Sequence, residues 1–467
     1  MSSTSPKAPN LNTVTTINRD GSRFIIHPSD VKGRFTAWRR IVAVLLIVVY
    51  IALPWIPING HPAVFLDVAR QRFHLFGLTF AAQDMWMLFF GITGLAFLLF
   101  FVTALFGRVW CGWACPQTVF LEHVFRRIER WIEGDAATRK KLDRASWTPD
   151  KAIKRVAKHT IFVLLAAVIA HIFLSYFVSI PGLWGMLIDS PLQHWSAFLF
   201  VAASTALIYG NFAWFREQLC IIICPYGRFQ SALIDNHTYN VAYDYNRGNP
   251  PGKPRDPNAG DCIDCRRCVQ VCPTGIDIRQ GLQLECIGCA GCIDACDTVM
   301  DKLNRPRGLI RYATDEQLEG RKSKLVRART LLYMVFGLIG LCVAAFSFNS
   351  YEPLSANVVR MRGSPFYVDG AGVRNQYQVR LVNKSERPME VWAVASAGDQ
   401  ALELRGLTER IRLQPMQEAT ATAVVLVPRD TYSGNFRFRL ELYTDEGATV
   451  SREIEFVGPD PALLEPR

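Results

Sequence analysis

Cys262-Ile-Asp-Cys265-Arg-Arg-Cys268-Val-Gln-Val-Cys272-Pro273, followed shortly by Cys286-Ile-Gly-Cys289-Ala-Gly-Cys292-Ile-Asp-Ala-Cys296, decides the fold of the middle of this chain. These eight of the thirteen cysteines fall within 35 residues, each run spaced C-x2-C-x2-C-x3-C. In two-cluster bacterial ferredoxins the first three thiolates of a run hold one cube and the fourth reaches across to the other. On that pattern Cys262, Cys265, Cys268 and Cys296 hold one 4Fe–4S cube, and Cys286, Cys289, Cys292 and Cys272 hold the second. Zinc fits poorly, because zinc sites separate two C-x2-C halves more widely. Asp297, not proline, follows Cys296, which is expected to relax that loop without removing a ligand. The segment carries electrons.

Outward from it the chain turns apolar. Half of its 467 residues are hydrophobic, and the mean hydropathy is +0.12. Five uncharged stretches account for this: Ile41–Ile58, Met85–Phe106, Thr160–Ile180, Trp195–Phe215 and Leu331–Phe348. Each approaches the roughly 20 residues a helix needs to cross the hydrocarbon layer. Pro54 and Pro57 are expected to kink the first near its far end. Forty mostly polar residues precede that stretch, which argues against a cleaved leader.

The net charge of +11 is distributed as a topology signal, not as a nucleic-acid-binding face. Residues 1–40 carry seven Lys or Arg and 108–159 carry twelve, against two in 59–84 and none in 181–194. The positive-inside rule then puts residues 1–40, 108–159 and 216–330 in the cytoplasm, and five spans put the C-terminal segment outside. Twelve of the thirteen cysteines lie at or beyond cytoplasmic membrane ends or in the cytoplasmic segment, where thiols stay reduced. The exception, Cys342, reads as a packing residue within the last span.

The expected organisation is a polar N-terminal arm (1–40), then a membrane domain with four spans (41–246). A two-cluster ferredoxin insert (247–328), a fifth span (329–350) and an all-β domain (351–467) follow. Gln117–Ile132 has apolar residues at helical spacing between basic ones, and predicts an amphipathic helix on the membrane surface. From about Ser355 the pattern alternates with period two over Gln376–Val382, Glu390–Val394, Ala421–Val427, Phe436–Tyr443 and Val450–Phe456. Turn residues separate these runs, predicting a β-sandwich of roughly 100 residues.

A second group of thiols sits in a weak internal repeat. Cys111-Gly-Trp-Ala-Cys115-Pro116 closes the second span and Cys220-Ile-Ile-Ile-Cys224-Pro225 closes the fourth. Cysteines at i and i+4 share one helix face. The proline either ends that helix or opens the next one, with Cys115 and Cys224 near its start. Packing is the plainer role for such cysteines. Two equivalent copies in an electron carrier instead favour a functional site, and soft thiolates suit Cu(I) or zinc. His171 inside the third span, His194 at the start of the fourth, and His61 and His74 in the first outer loop are candidates for copper or quinol entry. A histidine hydrogen-bonded between elements explains each equally well.

The chain resembles the FixG/CcoG (RdxA-like) family of cytochrome c oxidase accessory proteins. The resemblance is carried by Phe65-Leu66-Asp67, Phe73–Phe80 and Gln83-Asp84, and by Phe106-Gly-Arg-Val-Trp-Cys111-Gly-Trp-Ala-Cys115-Pro-Gln-Thr-Val-Phe120. It continues through Ile128-Glu129-Arg130, Glu133-Gly134-Asp135, Cys224-Pro-Tyr-Gly-Arg-Phe-Gln230, Cys296-Asp-Thr-Val-Met-Asp-Lys302 and Pro306-Arg-Gly-Leu-Ile-Arg-Tyr312. It implies a multi-pass protein of the bacterial inner membrane, with a cytoplasmic ferredoxin domain and a periplasmic immunoglobulin-like domain. It also implies reduction of Cu(II) to Cu(I) for assembly of the cbb-type oxidase, with Cys111, Cys115, Cys220 and Cys224 as the copper-handling residues. Copper transporters or chaperones of oxidase assembly would then be partners, alongside an electron donor the sequence does not name. The oligomeric state stays open, a homo-oligomer included. Two other readings stand beside this one: a quinol-oxidising relay and a non-catalytic copper-binding scaffold.

Overall fold

The computed structural model describes residues 25–68, 72–81, 85–349, 353–385, 387–398, 401–445, 447 and 449–463. Most of the N-terminal arm, and the quoted pair Gln83-Asp84, lie outside them. The chain divides into two compact units. One comprises the described residues up to Ile56 together with Leu88–Val343, and the other comprises Pro57–Met87 with the C-terminal residues from Ala344.

Among the described residues, five helices are long and apolar enough to cross a bilayer: Arg34–Trp55, Met85–Phe106, Pro149–Ser175, Trp195–Phe215 and Ala328–Phe346. The third starts well before its apolar stretch because Thr148 accepts a hydrogen bond from the Lys151 amide and Pro149 takes the first turn. The first begins at Arg34, so Arg34–Arg40, counted with the N-terminal arm by sequence, already belong to the helix. Its opening amides are held from afar: the buried Asp294 carboxylate accepts from Phe35 N (3.2 Å), Thr36 N (2.7 Å) and Thr36 Oγ1 (2.7 Å). Pro54 does not kink this helix but sits in the 3-10 turn Leu53–Trp55 that ends it. The second and fifth spans meet backbone to backbone, since a Cβ on Gly94 would stand 2.9 Å from Gly340 C and one on Gly340 2.5 Å from Gly94 Cα.

The expected surface helix is instead built into the protein. Pro116–Phe120, a π-turn at Leu121–Phe125 and Arg126–Glu133 form one continuous rod. Phe125 is fully buried against Phe162 of the third span (centroids 4.9 Å) and Phe212 of the fourth (4.5 Å). Phe125 therefore packs on protein, while Trp131 farther along is 79% exposed. The polar face is buried too, with Arg126, Glu129 and Glu133 at 6%, 1% and 2% exposure. Glu129 accepts from Arg216 Nη1 (3.2 Å) and Arg139 Nη1 (3.4 Å), with Lys158 Nζ at 3.9 Å. Lys158 also pairs with Glu133 (2.9 Å), and Arg126 with Glu217 (3.2 Å). Buried charges persist only when paired in this way.

The ferredoxin domain pairs Asn240–Tyr243 antiparallel with Ile310–Ala313 and packs helices Arg267–Gln270 and Gly291–Lys302 beside them. Val241, Ile278, Ile293, Met300 and Leu309 form its core. Where a proline after Cys296 would have turned the chain, Asp297 lets the helix continue to Lys302 and takes the Gly308 amide (2.9 Å). The missing proline lengthens a helix and does not relax a loop.

In the second unit, the C-terminal domain is a sandwich of two antiparallel sheets. One orders strands Glu403–Arg405, Glu418–Pro428, Gly372–Asn383 and Leu354–Arg360, with Tyr367–Val368 on the third. The other orders Ile411–Leu413, Met389–Ser396, Phe436–Thr444 and Thr449–Phe456. Val379, Leu381, Val391, Val425, Phe438 and Leu442 alternate inward into one core. Tyr377 Oη donates across the layers to Glu455 O (2.8 Å). The five alternating runs in the sequence all fall on these strands. The loop after the first span holds an unforeseen sheet, Val64–Asp67, Arg72–Leu75 and Leu78–Ala81, from which Arg72 donates to Met416 O (2.8 Å).

Candidate metal centre

Each ferredoxin run bends around its thiols by the same device. Asp264 and Arg266 in the first run have φ of 52° and 54°, and Gly288 and Ala290 at the matching places have 65° and 59°. Left-handed residues on both sides of the second cysteine curl the backbone, which is strained for Asp264, Arg266 and Ala290 and free for glycine. Cys272 of the first run lies with Cys286, Cys289 and Cys292 of the second around one cavity of about 350 Å³, which Cys268 also lines. Apart from Thr274 its walls are sulfur and hydrocarbon. Cys296 has Cys268, Cys265 and Cys262 as its cysteine neighbours, and burial followed by those neighbours pushes its thiol up to about 12. Burial likewise pushes Cys286 up to about 12 and Cys268 to about 11. Eight thiols, all buried or partly buried except the exposed Cys265, fit two 4Fe–4S clusters, which neutralise thiolate charge and tolerate hydrocarbon walls.

The two C-x3-C-P segments fold alike. Cys115 and Cys224 are both extended, at φ/ψ of −62°/126° and −63°/112°, and each caps the helix that opens at the following proline, Pro116–Phe120 and Pro225–Leu233. The Cys115 amide donates to Trp110 O (2.9 Å) and the Cys224 amide to Leu219 O (2.8 Å), matching bonds at matching positions. Of the two placements open to the proline, the structure takes the first turn of the next helix. Cys111 lies in the short helix Val109–Trp113 and Cys220 in the π-turn Leu219–Ile223.

The fold brings the four thiols together. Cys220 feels the charge of Cys115, Cys111 and Cys224, but burial is the larger effect and pushes it up to about 12. Burial pushes Cys111 up to about 11 against the opposing pull of Gln230 and Arg108, and pushes Cys115 upward too. Desolvation therefore outweighs the helix start, and metal binding here must displace protons. Gln230, fully buried, donates through Nε2 to Cys111 Sγ at 3.4 Å. Arg108 donates to Gly227 O at 2.8 Å and also to Leu284 O. In both places the sulfurs are neighbours and not closed shells: among the described residues no three His, Cys, Asp or Glu side chains converge as around a single ion.

The two thiol groups touch. Cys111, Cys289 and Ile287 form one apolar cluster with Tyr226 against it. A Cβ on Gly112 would stand 2.6 Å from Ile287 O and 2.9 Å from Cys289 N and Cα. Arg39 Nε fixes the same spot by donating to Gly112 O (2.9 Å).

The four candidate histidines have interactions of their own. His171 Nδ1 is 2.7 Å from Ala167 O one turn earlier in its own helix, and His194 Nε2 is 3.1 Å from Asp189 Oδ2. His61 and His74 stack at 3.9 Å in the second unit, with His74 Nδ1 2.8 Å from Thr79 Oγ1. Sequence reasoning missed Arg108, Gly112, Tyr226, Gly227 and Gln230. All five lie in stretches flanking the cysteine pairs that carry the family resemblance, which was the signal available.

Comparison with known proteins agrees with this architecture. A 4Fe-4S dicluster domain model matches residues 215–315, and a 4Fe-4S binding domain model matches residues 87–134. Residues 344–459 match the IG-like fold at the C-terminal of FixG, whose description classes FixG as an oxidoreductase. The chain is 37% identical over 432 residues to Protein RdxB of Cereibacter sphaeroides, covering 86% of this chain and 88% of that one. It is 38% identical over 400 residues to Protein RdxA of the same organism (80% and 83% covered). To the nitrogen fixation protein FixG of Rhizobium meliloti it is 37% identical over 409 residues (77% and 76% covered). The chain is an iron–sulfur electron-transfer protein with apolar membrane helices, and it belongs to the FixG/RdxA family.

Proposed function

We propose that this protein is a cupric reductase of the bacterial inner membrane that supplies Cu(I) for assembly of a cbb-type cytochrome c oxidase. The observation that carries it is the contact between Cys289 and the Cys111–Gly112 backbone, which sets four soft ligands directly against the ferredoxin domain. A 4Fe–4S cluster, held here by Cys262, Cys265, Cys268 and Cys296 or by Cys272, Cys286, Cys289 and Cys292, gives up one electron at a time. One electron converts one Cu(II) to Cu(I), and the product prefers thiolates more than the substrate does. Cys111, Cys115, Cys220 and Cys224 bind the ion, Gln230 orients the Cys111 sulfur, and the apolar packing of Tyr226 and Ile287 limits water. Charge asymmetry among the loops supports a cytoplasmic ferredoxin domain and a periplasmic sandwich, which would meet the copper-handling partners.

The test uses full-length iron-loaded protein, reduced with dithionite, freed of excess reductant and mixed with Cu(II) under a Cu(I)-specific chelator. Wild type should form Cu(I) as cluster absorbance returns. The quadruple change of Cys111, Cys115, Cys220 and Cys224 to Ala should keep its iron and lose the reaction. A quadruple variant with normal iron content and the wild-type rate sinks the proposal.

A further inference from the structure

We propose that the cavity between the start of the first span, the helix Arg126–Glu133 and the second cysteine run binds a phosphate group. It has a volume of about 700 Å³ and is walled by Arg39, Arg126, Arg127, Arg130 and Arg139. Three of these are almost wholly buried: Arg39 at 8% exposure, Arg126 at 6% and Arg139 at 3%. Each keeps a buried nitrogen with no hydrogen-bond partner among the described residues, namely Arg39 Nη2, Arg126 Nε and Arg139 Nε. A buried donor left unpaired costs about 1–3 kcal/mol, so a wall with three of them is built to receive acceptors.

The acids nearby do not fill that role. Asp30 and Glu122 line the cavity, but Asp30 is taken by Arg130 (2.6 Å) and Glu122 by Arg126. Behind the wall, Glu217 pairs with Arg126, and Glu129 is shared between Arg216 and the terminal nitrogen of Arg139, leaving Arg139 Nε unpaired. His123 also lines the space; burial, then Arg39, holds its pKa down at about 4, so it is neutral at pH 7 and adds acceptor or donor capacity without charge. Guanidinium groups arriving from different elements match the oxygens of a phosphate, which point in several directions. A carboxylate offers only two oxygens in one plane.

The cavity also reaches Pro273, Cys289 and Gly291, so the anion would sit beside a cysteine that lines the ferredoxin cavity. Two sources share this chemistry: the phosphate of a soluble nucleotide-type electron donor, and the headgroup of an anionic lipid. The site is independent of whether the other four thiols handle copper.

The test uses full-length, iron-loaded protein in neutral detergent without phosphate buffer. Equilibrium dialysis with labelled orthophosphate and pyrophosphate reads the soluble source. Native mass spectrometry from nanodiscs of phosphatidylglycerol against phosphatidylcholine reads the lipid source. Arg39→Gln and Arg127→Gln are compared with wild type at equal iron content. Arg127 is half-buried and is the change least able to disturb the fold, so it decides the matter if Arg39→Gln does not assemble. Each change should weaken binding about tenfold, the loss expected for one charge-assisted contact. Saturable pyrophosphate binding that falls in the variants assigns the soluble source. Retained phosphatidylglycerol that falls in the variants assigns the lipid. Absence of saturable binding of all these probes by iron-replete wild type, or binding unchanged in both variants, overturns the site.

Discussion

Replacing Glu129 with Gln removes the anion at the centre of the buried ion network while keeping the side chain's size. Burial alone pushes this carboxyl up, but Arg216, with Lys158 and Arg139, outweighs it and holds the pKa at about 2, down from 4.5. That depression corresponds to about 3 kcal/mol of native-state stabilisation at neutral pH. A second route agrees in size: removing one partner of a buried pair costs about 3–5 kcal/mol, because Arg216, 2% exposed, is left uncompensated. In a unit this large about 3 kcal/mol lowers a thermal midpoint by roughly 4–6 °C. The assay is tryptophan fluorescence of the detergent-solubilised protein on heating, at pH 7 and at a series of lower values. A depressed carboxylate stabilises fully above its unfolded pKa and loses that effect as pH falls through the folded one. The gap between wild type and Glu129→Gln should therefore be constant above about pH 5 and narrow towards pH 2. Equal midpoints at pH 7, or a gap that widens in acid, would refute the network's role.

Gly112→Ala should separate the two thiol groups or prevent assembly, since its Cβ meets backbone at 2.6 Å and 2.9 Å; cluster absorbance and Cu(II)-driven oxidation rate would both report it, and a normal rate would show the contact to be dispensable. Cys272→Ala should lower iron from about eight to about four per chain and spare one cluster's electron-spin signal, because Cys272 shares one cavity with all of Cys286, Cys289 and Cys292. An unchanged iron content would contradict that grouping. Reporter fusions after residues 20, 140, 187, 300 and 460 should read inside, inside, outside, inside and outside; an inside signal at 460 would end the five-span topology.

Much of this was open to reading because the signal was local. Apolar length identified five spans, thiol spacing the ferredoxin, and period-two alternation the longer strands of the sandwich. Strands Glu403–Arg405 and Ile411–Leu413 are too short to show a period. The sheet of Val64–Ala81 was missed because its hairpin turns at Phe76-Gly77, both with positive φ (50° and 86°), where Asn-Gly is the usual mark. Gln117–Ile132 showed its helical period but not its neighbours. Both of its faces meet partners distant in sequence, Glu129 reaching Arg216 across 87 residues. The C-x3-C-P repeat was visible as a repeat. Only the packing of Gly112 on Cys289 and of Gln230 on Cys111 shows where those thiols gather.

The cap that Asp294 places on the first span bears on how the molecule is made. The amides of Phe35 and Thr36 wait for a carboxylate 258 to 259 residues further along the chain, one that lies between Cys292 and Cys296. A ribosome has delivered four membrane segments before that carboxylate exists. The first helix is thus finished by the domain that needs iron. In an iron-starved cell, newly made chains would carry an open end on their oldest membrane helix, a ready mark for quality-control proteases.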